Sequence, residues 1–324
     1  MKIQGSKKTA LIVLGIFIAI LVVVLAFVFL SSMKKKYPED PVKMKNLGSS
    51  NQQVEISSLD IEIEEKDLPL YYVQPNIHIN QVEQLIDRMG LSLERKDIVK
   101  DSYIEWSDGE NTFVYDSVLD SVSFQLTRRI SLDRGESSFS AAFERYFDLE
   151  YKFKLVRERK NLDGGITYYG SRLLDEIPIQ YGANYEYTDI LSFNTQGDLE
   201  SGKLLLADIE KYEYYIPLIN KRELNQYINA KEYPKEHYID TSVLADILNL
   251  NYLDEQWSKI ENTLEDCRAR NLETVFLYKT SDQGYLLPVF KILSDCKVVA
   301  SGTEYTVPTT FYVNAVDPRY VSLL

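Results

Sequence analysis

The chain has 324 residues, 45% of them hydrophobic, and carries 49 acidic against 36 basic side chains, a formal net charge of −13. So acidic a chain excludes a general affinity for the phosphate backbone of nucleic acid. Two cysteines and two histidines leave little material for a structural zinc site or a histidine-based catalytic set.

The first predicted element is a transmembrane helix over residues 10–30 (ALIVLGIFIAILVVVLAFVFL), 21 residues without a charge. As a helix it spans about 30 Å, the thickness of the hydrocarbon layer. No small-x-small site follows it, so it reads as a retained single-pass anchor in the lipid bilayer rather than a cleaved signal. Lys2, Lys7 and Lys8 precede it and Lys34, Lys35 and Lys36 follow, which makes the positive-inside count a near tie. The orientation adopted makes residues 1–9 a cytoplasmic tail and places the rest outside, at the cell membrane. With the six basic residues of the first 36 positions set aside, 30 of the 36 remain against all 49 acids, a net of −19 for the outer part.

Residues 31–66 read as a stalk, with Pro38, Pro41 and the stretch Gly48 to Gln53 and no apolar period until Ile56. A first lobe over 67–135 opens with the strand Leu70–Val73. A short helix follows in which Asn80 caps, Val82, Leu85, Ile86 and Met89 share one face, and Gly90 stops the chain. Tyr103–Trp106, Thr112–Tyr115 and the alternating Val122, Phe124 and Leu126 predict antiparallel strands, with Asp108-Gly109 as a turn.

A second lobe, 136–215, begins with a helix from Ser137 or Ser138 carrying Phe139, Ala142, Phe143, Tyr146 and Phe147 on one face. Strands are predicted at 151–158, 165–173, 177–181, 189–194 and 199–208, turning at Asp163-Gly164 and Gln196-Gly197. A third lobe, 216–324, has helices at 221–230 and 241–250, then strands at 274–279, 285–293, 297–300 and 309–316. A helix followed by an antiparallel run, repeated, predicts an α+β fold: two or three helix-on-antiparallel-sheet lobes behind the N-terminal transmembrane helix.

The motifs of catalysis are missing: no HExxH, no GxGxxG, no GxxxxGK[ST] and no calcium loop occur. No catalytic, cofactor-binding or metal-ligating residue is therefore expected, and His78 and His237 read as ordinary loop or helix-edge residues. Dispersed carboxylates keep open a cell-envelope enzyme, which needs only two acids at a suitable separation, and a structural part of an envelope assembly is a further alternative. Cys267 and Cys296 fit either a disulfide, between a helix end and a sheet, or two buried thiols. Tyrosine is abundant, 24 residues, grouped at Tyr71-Tyr72, Tyr168-Tyr169, Tyr181/Tyr185/Tyr187 and Tyr212/Tyr214/Tyr215. Such groups either pave half-buried sheets or form an interaction surface, for which Tyr71, Tyr72, Tyr168, Tyr169, Tyr181, Tyr185 and Tyr187 are the candidates.

The last third carries ETVFLYK (273–279), GYLLPVFKI (284–292) and TVPTTFYVNAVDPRYV (306–321), and the middle carries EIPIQ (176–180) and DILSFNTQGDLESG (189–202). This text resembles the YycH/YycI-type extracytoplasmic regulatory proteins, with Asn314 where their closing motif has proline. The resemblance implies one transmembrane helix followed by PepSY-like or cystatin-like lobes and no catalytic residues. It also implies a membrane or envelope protein partner, a sensor histidine kinase of a two-component system.

Overall fold

The computed structural model describes residues 35–45, 47, 56–58, 62–63, 66–100, 102–127, 153–181, 186–229, 235–239, 264–300 and 303–323. The expected membrane span at 10–30 and the expected helices at 137–147 and 241–250 lie outside these residues. No helix among them is long and apolar enough to cross a membrane.

In chain order the elements begin with β1 (Val42–Met44), β2 (Ile56–Ser58), β3 (Asp67–Val73), helix α1 (Ile79–Arg88), β4 (Glu94–Val99), β5 (Tyr103–Ser107), β6 (Thr112–Asp116) and β7 (Ser121–Gln125). The middle of the chain supplies β8 (Phe153–Lys160), β9 (Ile166–Leu174), β10 (Ile177–Tyr181), β11 (Glu186–Tyr187), β12 (Asp189–Phe193), β13 (Leu199–Leu205) and β14 (Ile209–Pro217). Helix α2 (Lys221–Asn229) is followed by β15 (Lys235–Ile239), β16 (Glu265–Tyr278), β17 (Leu287–Ala300), β18 (Thr303–Asn314) and β19 (Val321–Leu323).

With nineteen strands and two helices among the described residues, the fold is mostly β, and the expected α+β class of helix-on-sheet lobes behind a transmembrane helix is corrected. Fifteen of the strands share one sheet, whose main path runs β15-β18-β17-β16-β10-β9-β12-β13-β7-β6-β5-β4. The expected boundaries near 135 and 215 are crossed by pairing: β13 bonds β7 antiparallel and β10 bonds β16 parallel. Lobes that share strand edges this way are one sheet, because each pairing satisfies the backbone groups that a separate lobe would leave at an edge.

The strands form where the period-two pattern says. Phe113 and Tyr115 of β6 and Val122 and Phe124 of β7 turn inward to the apolar face of α1, where Val82, Leu85, Ile86 and Met89 meet them in one core. Gly202 lies between Phe124 and Leu191 on the neighbouring strands, and a Cβ there would collide with the Phe124 ring. Glycines at the hairpin turns, Gly109, Gly164, Gly197 and Gly284, all take positive φ. Around Gly109, the Asp108 carboxylate accepts the backbone N–H groups of Glu110 at 2.9 Å and Asn111 at 2.6 Å. A second core joins Leu224 and Ile228 of α2 to Phe290, Ile292, Val307 and Phe311 of the long hairpin strands.

The expected stalk is partly built into the domain. β1 pairs in parallel with β19, Val42 opposite Val321. Met44 is 0% and Leu47 3% exposed, both in a core with Leu70, Ile216, Leu277 and Val289. Alternating Val42 and Met44 supply apolar side chains that a solvated linker would leave exposed.

Candidate interaction surface and buried ionisable cluster

β3 is covered on both faces: Leu70 lies in the core with Ile216 and Val289, and Tyr71 and Val73 lie in the core with Ile179 and Leu286. Tyr71 turns in, 4% exposed, and meets the Phe276 ring edge-on at 5.1 Å. On one side of β3 runs the segment 284–286, with Val73 N–H donating to the Gly284 carbonyl and Leu286 N–H to the Tyr71 carbonyl. On the other side runs β14, whose register slips between Lys211 and Tyr215. Because Lys211 faces Tyr71 and Tyr215 faces Pro69, the three residues Tyr212, Glu213 and Tyr214 stand opposite Leu70 alone. Such a bulge re-aims its side chains, and Pro69, which has no N–H to give the ladder, sits beside it.

The result is a chain of rings. Tyr72 packs edge-on against Tyr285 at 5.2 Å, Tyr285 against Tyr212 at 6.0 Å, and Tyr212 against Tyr214 at 5.6 Å. Tyr212 is 45% exposed. Burial and the neighbouring rings of Tyr212, Tyr72 and Tyr214 hold the Tyr285 hydroxyl above its usual pKa of 10.0, so it stays a donor. Along the same ribbon Tyr37 meets Tyr320 at 5.7 Å and donates from its hydroxyl to Asp67 at 2.9 Å. Cations here are paired locally: Lys35 with Asp67 at 2.9 Å, Lys36 with Glu213 at 2.6 Å and Lys211 with Asp175 at 2.5 Å. A face of aromatic rings with donor tips and neutralised charge is what protein interfaces favour at their centres.

Of the six nominated tyrosines among the described residues, Tyr72 alone belongs to this face. Tyr71, Tyr168 and Tyr181 are buried, a correction to their nomination as surface. Tyr168 packs against Phe193 at 5.6 Å, and Tyr181 stacks on Tyr278 at 6.0 Å beneath the Lys203 ammonium. All three occupy inward positions of their strands, where the largest apolar body fills the core. Tyr169 and Tyr187 pair with each other at 5.3 Å elsewhere on the sheet, and Tyr185 lies outside the described residues. Cys267 and Cys296 are joined as a disulfide, fully buried, between β16 and β17. The bridge therefore ties strand to strand, not helix to sheet.

A second feature went unnoticed in the sequence. His78, expected to be an ordinary helix-edge residue, is 4% exposed and is itself the N-cap position of α1, in place of Asn80. Its Nδ1 lies 2.6 Å from Asp120 Oδ1, which also accepts the Tyr115 hydroxyl at 3.0 Å. Its Nε2 stands 3.2 Å from Asp208 Oδ2, an ion-pair contact off the line of an aligned hydrogen bond. Asn76 donates to the same Asp208 oxygen at 2.8 Å. Burial works against a charge on His78, but Asp120 and then Asp208 outweigh it and raise its pKa above the ordinary 6.5. Burial likewise opposes ionisation of Asp208, and Asn76 and His78 overcome it, holding that carboxyl below 3.8. Nothing in the spacing of residues 78, 120 and 208 announces this meeting. His237 lies in β15 opposite Phe311.

No group of three or more His, Cys, Asp or Glu side chains among the described residues could hold a metal ion. An open trough of about 800 Å³ lies on the hydroxyl-rich face of β6, β7 and β13, lined by Thr112, Ser123, Gln125, Ser201, Asp198 and Glu200. Asp198 is engaged by the Asn194 amide.

No protein-family model and no functionally curated protein matches the sequence. Among solved structures the chain is similar to an uncharacterized protein from Eubacterium rectale, at a TM-score of 0.45 and 9% identity, over 84% of this chain and 90% of that one. It is also similar to YycH from Bacillus subtilis, at a TM-score of 0.33 and 12% identity, over 76% of this chain and 51% of that one, so it spans about half the length of that protein. At such TM-scores neither likeness assigns a fold or a function to this chain.

Proposed function

We propose that the protein is a non-enzymatic regulatory module that works in an oxidising, extracytoplasmic compartment and contacts a membrane protein partner through the tyrosine face. The observation that carries this reading is the ring chain Tyr72–Tyr285–Tyr212–Tyr214, in which the β14 bulge supplies Tyr212 and Tyr214 and leaves Tyr212 exposed. Rigid aromatic side chains with few rotors lose little entropy on docking, so they concentrate binding energy. The disulfide supports the compartment, since such bonds persist where thiols are not kept reduced. The sequence resemblance to YycH/YycI-type proteins supports a two-component sensor kinase as the partner.

The test is the double variant Tyr72→Ser, Tyr212→Ser in the full chain, co-expressed with the sensor kinases of its own cell and read as output of their target promoters. Two truncated interface tyrosines cost about 1 to 2 kcal/mol each, so binding should fall by tenfold or more while the urea midpoint stays within that of the Tyr169→Ser control. Unchanged output and unchanged kinase cross-linking in a folded double variant would sink the proposal.

A further inference from the structure

The two-stranded ribbon that carries the tyrosines has one end closed by the His78 cluster. β3 and β14 pair as far as Val73 with Ile209 and Tyr72 with Glu210. Directly past that end, Gln74 N–H donates to the Asp208 carbonyl at 2.9 Å, the Gln74 amide to Glu210 at 2.8 Å, and Asn76 to the Asp208 carboxylate. His78 then reaches Asp208 from one side and Asp120 from the other. Tyr72 lies two residues before Gln74, and Tyr212 two residues after Glu210, so both strands leave the cluster straight into the ring chain.

A neutral imidazole has one N–H, whereas the imidazolium has two. Only the protonated ring can donate toward Asp120 through Nδ1 and face Asp208 through Nε2 with a hydrogen rather than a lone pair. The neutral ring keeps its bond to Asp120, which is fully buried, and turns a lone pair toward Asp208. The Asp208 side chain, 46% exposed, then gains by turning to water, because a carboxylate has no attraction to an acceptor.

We propose that His78 is a proton-operated clamp on the β3–β14 ribbon: protonated, it fixes Asp208 and keeps the tyrosine face ordered, and deprotonated, it releases the 206–210 segment and loosens that face. The groups that set the clamp come from every element around it. Asp120 comes from the turn before β7 and Tyr115 from β6. Asp208 and Asn76 flank the ribbon. Arg172 of β9 donates to the Ala207 carbonyl at 2.6 Å and helps to lower Asp208. Tyr278 of β16 is close enough for its hydroxyl to feel Asp120. The raised pKa of His78 agrees with a ring that holds its proton in the closed state. The consequence for partner binding rests on the reading of the tyrosine face given above; the clamp itself does not.

Hydrogen exchange by mass spectrometry on the free, full-length protein tests the clamp with no partner present. Protection of peptides covering 206–217, corrected for intrinsic exchange, should fall about tenfold relative to peptides of β17 and β18 between mildly acidic and mildly alkaline pH, the scale of one partly buried ion-pair contact. His78→Gln, which cannot gain a charge, should lose that dependence. Asp208→Asn, whose amide can donate to the neutral ring and whose site is half open to solvent, should stay protected at both pH values and serves if His78→Gln does not fold. A wild-type profile in which 206–217 tracks β17 and β18, or an Asp208→Asn profile as pH-dependent as wild type, overturns the clamp. Failure of the Tyr72 and Tyr212 test with these exchange results intact would instead remove only the partner reading.

Discussion

Asp189 lies wholly inside the protein, with the Thr188 hydroxyl on its carboxylate and Arg172 nearby. Burial pushes its carboxyl up from 3.8 to about 7, against the pull of Thr188 and Arg172. In the unfolded chain the group gives up its proton near 3.8, so folding loses stability as pH rises from there to about 7. The substitution Asp189→Asn removes that cost: its urea midpoint should gain on wild type between about pH 5 and about pH 8, by a difference on the order of 1 kcal/mol or more. Midpoints that move in parallel would show that Asp189 does not titrate as described. The same residue shows why the ionisable sites were hidden in the sequence. His78 and Asp208 sit in short polar gaps beside element ends, where local pattern predicts solvent, and Asp189 opens β12 with nothing local to mark it as interior; only packing of elements distant in sequence encloses His78 and Asp189 and brings Asp208 to His78. Tyr212 and Tyr214 were visible as a tyrosine group, but the bulge that sends them outward depends on the register with Pro69.

Among the elements, α1 and the hairpins around Gly109, Gly164 and Gly197 were legible, because each rests on a local period and a residue that tolerates positive φ. β4, with every residue exposed, and β14, with a charge and a bulge in its middle, carry no clean alternation; they are strands because a neighbour offers its edge. β16 is longer than its predicted core of 274–279, since its first half, around Cys267, is held by β17 and by the disulfide. That bridge spans 29 residues of sequence, and closing a loop of this length stabilises by about 3 to 4 kcal/mol in the chain-entropy picture. The pair Cys267→Ser, Cys296→Ser should therefore unfold at lower urea by that amount, and wild type taken from cells under denaturant should resist alkylation until reduced. Two alkylated cysteines before reduction would place the protein in a reducing compartment and undo the localisation proposed above.

At the scale of the molecule, reading each helix as the head of a lobe misplaced the class, because pairing of β7 with β13 and of β10 with β16 fuses the segments into one sheet that no local pattern encodes. Helix α1 and the β3–β14 ribbon pack on that sheet and place His78, Asp189 and Asp208 in one cooperative unit, so their linkages should add in one transition. His78 has a raised folded-state pKa, so its contribution is complete below 6.5 and is lost as pH rises through the raised value. Asp189 acts in the same sense over its own range, from 3.8 to about 7. Asp208 and Asp317, held below 3.8, act in the opposite sense: their contribution is present above 3.8 and is lost as pH falls through the lowered values. Asp67, Asp175 and Asp282 are lowered too, but their exposed ion pairs add little. A net charge of −13 adds self-repulsion on the alkaline side. The stability maximum should thus fall on the mildly acidic side of neutrality, with a higher urea midpoint at about pH 5.5 than at about pH 8.5 and an unchanged slope. A midpoint that climbs toward pH 8.5 would mean that His78 and Asp189 do not titrate as described, because the lowered carboxylates are ionised at both pH values and contribute equally there.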